Sequence, residues 1–284
     1  MKRIRSPITI FGGKGRLVSR MLPLFPPHRI FADVCGGAAS VLLAKPPCEV
    51  EVYNDVDSGL VNLFRVIRDP ALVSELRQRL ECTPFSREEF EHCRNTWREQ
   101  ADPVEKARRF FVTCRQSFGG ERSSWNVCVS SARRAMPLTC SHWLSAIEGL
   151  PQVHERFQRV VIEHADWRIL FDRYRANPEA FLYLDPPYLR STRRGGGYEY
   201  EWTTEDHEEL VDALAGEEHA ARVVLSGYAS PLYEVLEGNG WQRLDFGIVS
   251  YATGRSGRRA GATLGPEDYR VESVWLNYEA EAPA

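Results

Sequence analysis

The sequence predicts an α/β protein built on a mostly parallel sheet, and three observations carry that prediction. Short β-rich runs recur along the chain, several of them are apolar on both alternating sets of positions, and helical stretches lie between them. Strands covered by helices on both faces read this way, and alternation of strand with helix is the pattern of a parallel sheet.

In chain order the strand candidates are "RIFADV" (29 to 34), "EVEVYND" (49 to 55), "RVVIEH" (159 to 164), "AFLYLD" (180 to 185), "ARVVLSGY" (221 to 228) and "VESVWLNY" (271 to 278). A helix is expected over "TEDHEELVDALA" (204 to 215), with Thr204 as cap, Glu205 and Asp206 at the positive start and Gly216 at the end. Charged helices are expected in "DPALVSELRQRLE", "SREEFEHCRNTWREQ" and "DPVEKARRFFVTCRQSF", followed by loop or hairpin in "GGERSSWNVCVSSARRAMP".

Strand spacing divides the chain. From Asp33 to Asp185 is 152 residues, whereas a few βα units need roughly 70 to 90. The surplus is the size of a small domain. It predicts one domain from 1–66 and 158–284, with an inserted, mostly helical domain over 67–157.

Composition excludes several classes. With 43% hydrophobic and 26% charged residues, wholesale disorder is excluded. No apolar run after the basic start "MKRIRSPITIFGGKGR", or later, approaches a membrane span, so a cytoplasmic protein without a membrane partner is expected. Seven cysteines (35, 48, 82, 93, 114, 128 and 140) make an odd number with no CxxC pair, which argues against a disulfide framework and against a metal site. A net charge of −3 gives no global attraction to nucleic acid, so polyanion binding would need a local patch.

Five motifs could carry chemistry. In "ITIFGGKGRLVSRML", Gly12 and Gly13 let backbone N–H groups approach a ligand and Lys14 adds a compact positive charge; the same pair also suits a tight turn. In "FADVCGGAASVLLA", Asp33 ends a strand and Gly36 and Gly37 open a helix, the strand-turn-helix context of a nucleoside cofactor without GxGxxG. Asp55 follows the next strand, where an acid accepts from both ribose hydroxyls, although a helix cap at Asn54, Asp55 or Asp57 reads equally well. Asp166 and Trp167 end another strand, where an acid and an aromatic suit an adenine ring, or a cap and a core residue. Finally, "LYLDPPY" sends Asp185 out of a strand into Pro186, Pro187 and Tyr188. The prolines lack N–H donors and leave carbonyls, so a planar base with an exocyclic amine fits the acid, a carbonyl and the tyrosine face; the bland reading is a strand-ending turn.

Residues 106 to 134 hold seven basic side chains against one acid, Glu121, a plausible phosphate-binding face. Within it Arg115, Gln116, Phe118 and Arg122 form a mix able to read base edges and wedge between bases, with Arg133 and Arg134 further along. The alternative makes Phe118 core and the arginines a solvated helix face. Two glycine-rich basic loops, 189 to 198 and 253 to 263, are candidate lids or simple exposed loops.

Taken together and in order, "FGGK", "DVCGG", "YNDVDSGLVNLFRVIRD", "RQSFGG", "LYLDPPY" and "LSGYASPLYEVL" make the chain resemble the Dam-type DNA adenine-N6 methyltransferases over nearly its whole length. The resemblance implies a Rossmann-like S-adenosylmethionine-dependent methyltransferase sheet, a DNA-recognition domain in the insertion and double-stranded DNA as partner. It implies a flipped adenine held by Asp185, Pro186, Pro187 and Tyr188, with direct methyl transfer and no metal. S-adenosyl-L-methionine would be bound by Ile10, Phe11, Gly13, Lys14, Asp33, Gly36, Gly37, Asp55, Asp166, Trp167 and Asp185. Asp in first place of Asp-Pro-Pro-Tyr favours adenine over the Ser seen with cytosine. Two positions depart from the family pattern: Ile10 stands where an aromatic is usual, and Asp33-Val34-Cys35 replaces Glu-Pro-Phe. A binding-only protein on a decayed methyltransferase and a Rossmann-like oxidoreductase remain as alternatives.

Overall fold

A computed structural model describes residues 3–128, 130–193, 197–216, 219–249 and 269–280. The strands are β1 (Ile30–Asp33), β2 (Val50–Asn54), β3 (Ala132–Arg133), β4 (Met136–Pro137), β5 (Val160–Glu163), β6 (Ala180–Leu184), β7 (Arg222–Gly227), β8 (Gln242–Val249) and β9 (Tyr269–Leu276). Seven of them form one sheet in the order β5-β2-β1-β6-β7-β9-β8, and β3 and β4 pair separately as a short hairpin. The first five strands of that order run parallel, while β9 pairs antiparallel with both β7 and β8. The architecture is mixed α/β around a mainly parallel sheet.

The order contains a switch. From β1 the chain moves outward through β2 to β5, then returns to lay β6 on the other side of β1. A crevice opens where neighbouring connections leave in opposite directions, beyond the carboxyl ends of the strands. Asp33 ends β1 and lies in register with Tyr183 of β6, two residues before Asp185. The switch therefore brings two acids to one crevice.

Successive side chains of a strand point to opposite faces, and here both faces are covered. Phe31, Tyr53, Phe181 and Tyr183 join an apolar cluster with Phe64 of the helix Ser58–Arg68, Leu76 and Leu80 of Pro70–Glu81, and Phe110 and Phe111 of Pro103–Arg115. Their neighbours Ala32, Val52, Leu182 and Leu184 join a second cluster with Leu170 and Phe171 of Trp167–Tyr174 and Leu210 and Leu214 of Thr204–Ala215. The helices between β2 and β5 thus pack on one sheet face through Ser58–Arg68. Gly59 is the point of closest approach, since a Cβ there would lie 2.4 Å from the Phe110 ring.

Local expectations differ from the structure in three places. The helix Thr204–Ala215 is capped by Thr203, whose side chain accepts from Asp206 N while Asp206 reaches back to the Thr203 backbone; Thr204 is already inside the first turn. Asp166 and Trp167 do not end β5, which stops at Glu163; Asp166 caps the helix Trp167–Tyr174 and accepts from Arg168 N at 2.9 Å. Strand β8 was not anticipated, because every second residue of "QRLDFG" is polar or glycine and only one side of this edge strand is covered. The loop 253 to 263 lies outside the described residues, as do 194 to 196 of the loop 189 to 198. Among the described residues no helix is long and apolar enough to cross a membrane.

Candidate active site

The turn "FGGK" is built by backbone geometry. Gly12 adopts φ +76°, Gly13 N donates to Ile10 O at 3.2 Å, and Lys14 then starts a short 3-10 turn, Lys14–Arg16. The turn drives Lys14 inward, where it is 4% exposed. Its ammonium donates to Asp185 Oδ1 at 2.5 Å and Gly12 O at 3.2 Å, lies 3.1 Å from Glu272 Oε1 and sits 4.6 Å above the Tyr188 ring. Lysine buried alone loses its proton readily; these two carboxylates reverse that and hold its pKa above the ordinary lysine value against the opposing effect of burial.

The turn after β1 is equally constrained. Gly36 N donates to Asn54 O at 2.8 Å, and a Cβ on Gly36 would lie 2.4 Å from the buried Tyr53 ring. Gly37 is left-handed (φ +50°), its N–H donates to Asp55 Oδ2 at 2.8 Å and its carbonyl accepts from the Tyr53 hydroxyl at 2.7 Å. Asn54 locks three strand ends together by donating to Val34 O and Ala165 O and accepting from Ala165 N, all at 2.9 Å.

Three acids converge on this floor. Burial pushes Asp33 well above the usual carboxylate range, with Asp185 and Asp55 adding repulsion, and its Oδ2 finds no hydrogen-bond partner. Burial raises Asp55 to about 6, against the opposing hydrogen bond from Asp57 N. Burial likewise raises Asp185 to about 6 despite the Lys14 ammonium beside it. An orphaned carboxylate oxygen in an acid-rich crevice calls for a cationic or multiply donating ligand.

Beside these acids lies a cavity of about 340 Å³. Its wall includes Ile10, Phe11, Gly13, Lys14, Asp33, Gly36, Gly37, Asp55, Asp166, Trp167, Asp185 and Pro187, so residues spread over the chain meet at one place. Trp167 is 5% exposed and its indole N–H has no partner. Pro186 and Tyr188 are not in the wall. Tyr188 is buried: its hydroxyl donates to Glu272, and the edge-on rings of Tyr228 and Tyr198 lie 4.7 and 6.4 Å away.

The residues picked from the basic segment scatter. Arg122 does reach the cavity, donating to Asp57 Oδ2 at 2.9 Å. Arg115 instead donates to Thr9 Oγ1 at 2.9 Å and His142 O at 2.7 Å, and burial lowers its pKa to about 10. Gln116 is fully buried, donating to Pro84 O and accepting from Ser86 N. Phe118 is 40% exposed and so is not a core residue, Arg133 is exposed, and Arg134 pairs with Glu148 at 3.0 Å. The charge excess over 106 to 134 is also partly answered from outside that window, because Glu105 pairs with both Arg108 and Arg109. Gly120, at φ +77°, passes so close to the Ile10 backbone that a Cβ would lie 2.8 Å from it, and Phe11 N donates to its carbonyl at 3.2 Å. Gly120 of "RQSFGG" therefore seats this loop on the Thr9–Phe11 backbone that leads into the Gly12-Gly13 turn.

Four side chains of the site were not read from the sequence: Glu272 on β9, and Tyr198, Tyr200 and Trp202 of the segment after Tyr188, all three in the cavity wall. The Tyr198 ring packs on Phe11 at 5.2 Å, with its hydroxyl against Gly12. An acid inside the otherwise apolar alternation of "VESVWLNY" was the available signal for Glu272. The three aromatics follow a glycine run that carries no periodicity.

The sheet order places an acid-floored crevice at its switch point, where ligands bind in open α/β sheets. The family model of D12 class N6 adenine-specific DNA methyltransferases matches residues 11–244, and the chain belongs to that family. It is also similar to the modification methylase StsI of Streptococcus sanguinis, with 23% identity over 200 residues, which is 67% of this chain and 30% of that protein. The chain thus spans less than a third of the length of that curated relative. That family is one of DNA methyltransferases. Among the described residues no group of His, Cys, Asp and Glu is placed to hold a metal ion.

Proposed function

We propose that this protein transfers a methyl group from S-adenosyl-L-methionine to the N6 amine of a flipped adenine in double-stranded DNA. The observation that carries the reading is Asp185, a carboxylate at the switch point, paired with buried Lys14 and opening onto the cavity floored by Asp33 and Asp55.

The residues present suit the methyl donor. It is a cation with an ammonium, two ribose hydroxyls and an adenine. Asp33 offers an unpartnered carboxylate oxygen, Asp55 lies beside the Gly36-Gly37 turn, and Trp167 and Asp166 stand in the same wall. A nicotinamide dinucleotide would bring a pyrophosphate to the same acids, which disfavours an oxidoreductase. When bound, the cofactor supplies an electrophilic methyl group.

The chain's own residues supply orientation. The Asp185 carboxylate and a proline carbonyl accept the two amine hydrogens, turning the nitrogen lone pair out of ring conjugation and along the line of attack. The Tyr188 face supports the base. Since Tyr188 is covered by Lys14 and Tyr198, the base enters by displacing the Tyr198 segment, which then closes over it. Asp185 need not be a strong base, because the amine becomes acidic only as the methyl arrives.

Residues 67–157 serve as the recognition segment in this reading. Phe118, Arg133 and Arg134 are exposed, Arg134 in a pair with Glu148, Arg122 ties the segment to the cavity, and Arg115 and Gln116 set its shape. The test is Asp185→Ala, assayed for methyl transfer to DNA and for DNA binding in parallel. Transfer is expected to vanish while most affinity survives; transfer near the wild-type rate would end the assignment.

A further inference from the structure

The buried core of the site holds a charged group that touches the Asp-Pro-Pro-Tyr corner and that the reaction as described does not use. Glu272 comes from β9, the antiparallel strand, far in sequence from every other site residue. It is 6% exposed, and its Oε1 takes two partners: the Tyr188 hydroxyl, and the Lys14 ammonium at 3.1 Å. Both partners are themselves buried, and both touch the Asp-Pro-Pro-Tyr corner: Tyr188 belongs to it and Lys14 pairs with Asp185.

We propose that Glu272 is a positioning residue for methyl transfer, fixing the Tyr188 ring through its hydroxyl and providing a second seat for the Lys14 ammonium when Asp185 turns to the substrate amine. The inference rests on the reading that Asp185 receives that amine.

Two physical arguments support it. The first concerns the ring. Besides Glu272, the Tyr188 hydroxyl has Ser226 Oγ at 3.4 Å, a weak contact, and the Asp185 carboxylate in reach among the described residues. A buried hydroxyl bound to a carboxylate gains a charge-assisted hydrogen bond that pins the far end of the ring, and that position sets the tilt of the flat face toward the base. The second concerns charge. Lys14 occupies Asp185 Oδ1 at 2.5 Å, one of the oxygens the amine would use. If Asp185 were its only anion, releasing that oxygen would leave a buried ammonium unpaired, which is strongly unfavourable. With Glu272 at 3.1 Å the ammonium moves by a fraction of an ångström and stays paired. Asp185 is thereby free to accept at no cost in uncompensated charge.

The experiment is steady-state kinetics of Glu272→Gln on the full chain, with methyl transfer to plasmid DNA as readout and thermal melting as the folding control. The expected result is a kcat at least tenfold lower, with KM for DNA and for S-adenosylmethionine within threefold of wild type. Combined with Tyr188→Phe, the loss should be smaller than the product of the two single losses, because the two residues act through one contact. Unchanged kcat would overturn the proposal, as would fully multiplicative losses or a raised KM at constant kcat. If Glu272→Gln does not fold, Glu272→Asp carries the test: it keeps the charge but draws it back, so a lowered kcat at constant KM supports positioning and a wild-type kcat refutes it. Wild-type protein that transfers no methyl group would instead remove the underlying reading, and the wild-type assay separates that failure from failure at Glu272.

Discussion

The Lys14 ammonium lies 2.5 Å from Asp185 Oδ1, although 171 residues separate them in the chain and their side chains are only 4% and 16% exposed. Burial alone would favour a neutral acid; the ammonium opposes it and Asp185 settles at about 6. The account needs Asp185 as a carboxylate. The kcat/KM of wild type should therefore fall as pH drops through about 6, where the free enzyme takes up that proton. Lys14→Met removes the opposing cation and leaves Glu272 and Asp33 as like-charged neighbours, so its acid limb should move to higher pH. A rise from about 6 to about 7 would cost only about a quarter of kcat/KM at pH 7.5 but roughly fivefold at pH 6. Matched pH–rate profiles check this, and an unmoved limb would separate Lys14 from the ionisation of Asp185.

Gly36 and Tyr53 make a second relationship. A Cβ on Gly36 would lie 2.4 Å from a ring that is fully buried, whereas a Cβ on Gly15 meets nothing within 4 Å. Gly36→Ala should destabilise the fold by about 1–3 kcal/mol, the usual cost of overpacking, and weaken cofactor binding because the Tyr53 hydroxyl also holds Gly37 O. Gly15→Ala should leave both unchanged. Thermal melts and calorimetric titration of the two variants give the comparison.

Cofactor affinity should depend on pH through Asp55. Burial raises Asp55 to about 6; a cationic ligand with two hydroxyl donors favours the carboxylate form. Affinity should be full at pH 7.5 and fall as pH drops through about 6, because proton and cofactor compete. Titrations of S-adenosylmethionine at pH 5.5 and 7.5 measure it, and equal affinity at both would remove Asp55 from the cofactor's contacts.

Gln116 and Phe118 stand two residues apart and should behave oppositely. Gln116→Ala strips partners from Pro84 O and Ser86 N in a buried place, costing about 1–3 kcal/mol of stability. Phe118→Ala changes an exposed ring, so its melting temperature should hold while DNA binding or turnover falls. Arg133→Ala should lower DNA affinity and reduce the slope of log affinity against log salt by about one.

Much of this site was legible because its parts are short and locally determined. Strands apolar on both faces marked the sheet, and the Gly-Gly turns and Asp-Pro-Pro-Tyr marked where it stops; Gly36 meets a buried ring that a Cβ would not clear, and Gly12 and Gly37 take left-handed backbone. What escaped depends on long-range pairing. Strand β8 is half polar because it lies at an edge, Glu272 acquires meaning only when β9 is laid beside β7, and Gln116 looks like a surface amide until Pro84 and Ser86 fold over it. Charge counting within a window overstated the excess for a similar reason, since Glu105 and Glu148 answer arginines from outside it.

The central claim is adenine-N6 methylation, and sequencing of plasmid DNA from a methylation-deficient host expressing this protein tests it most directly, with every base scored for modification. The account predicts N6-methyladenine at one short motif and none in DNA from a host expressing Asp185→Ala. Unmodified adenine throughout, from a folded protein that binds S-adenosylmethionine, would contradict it.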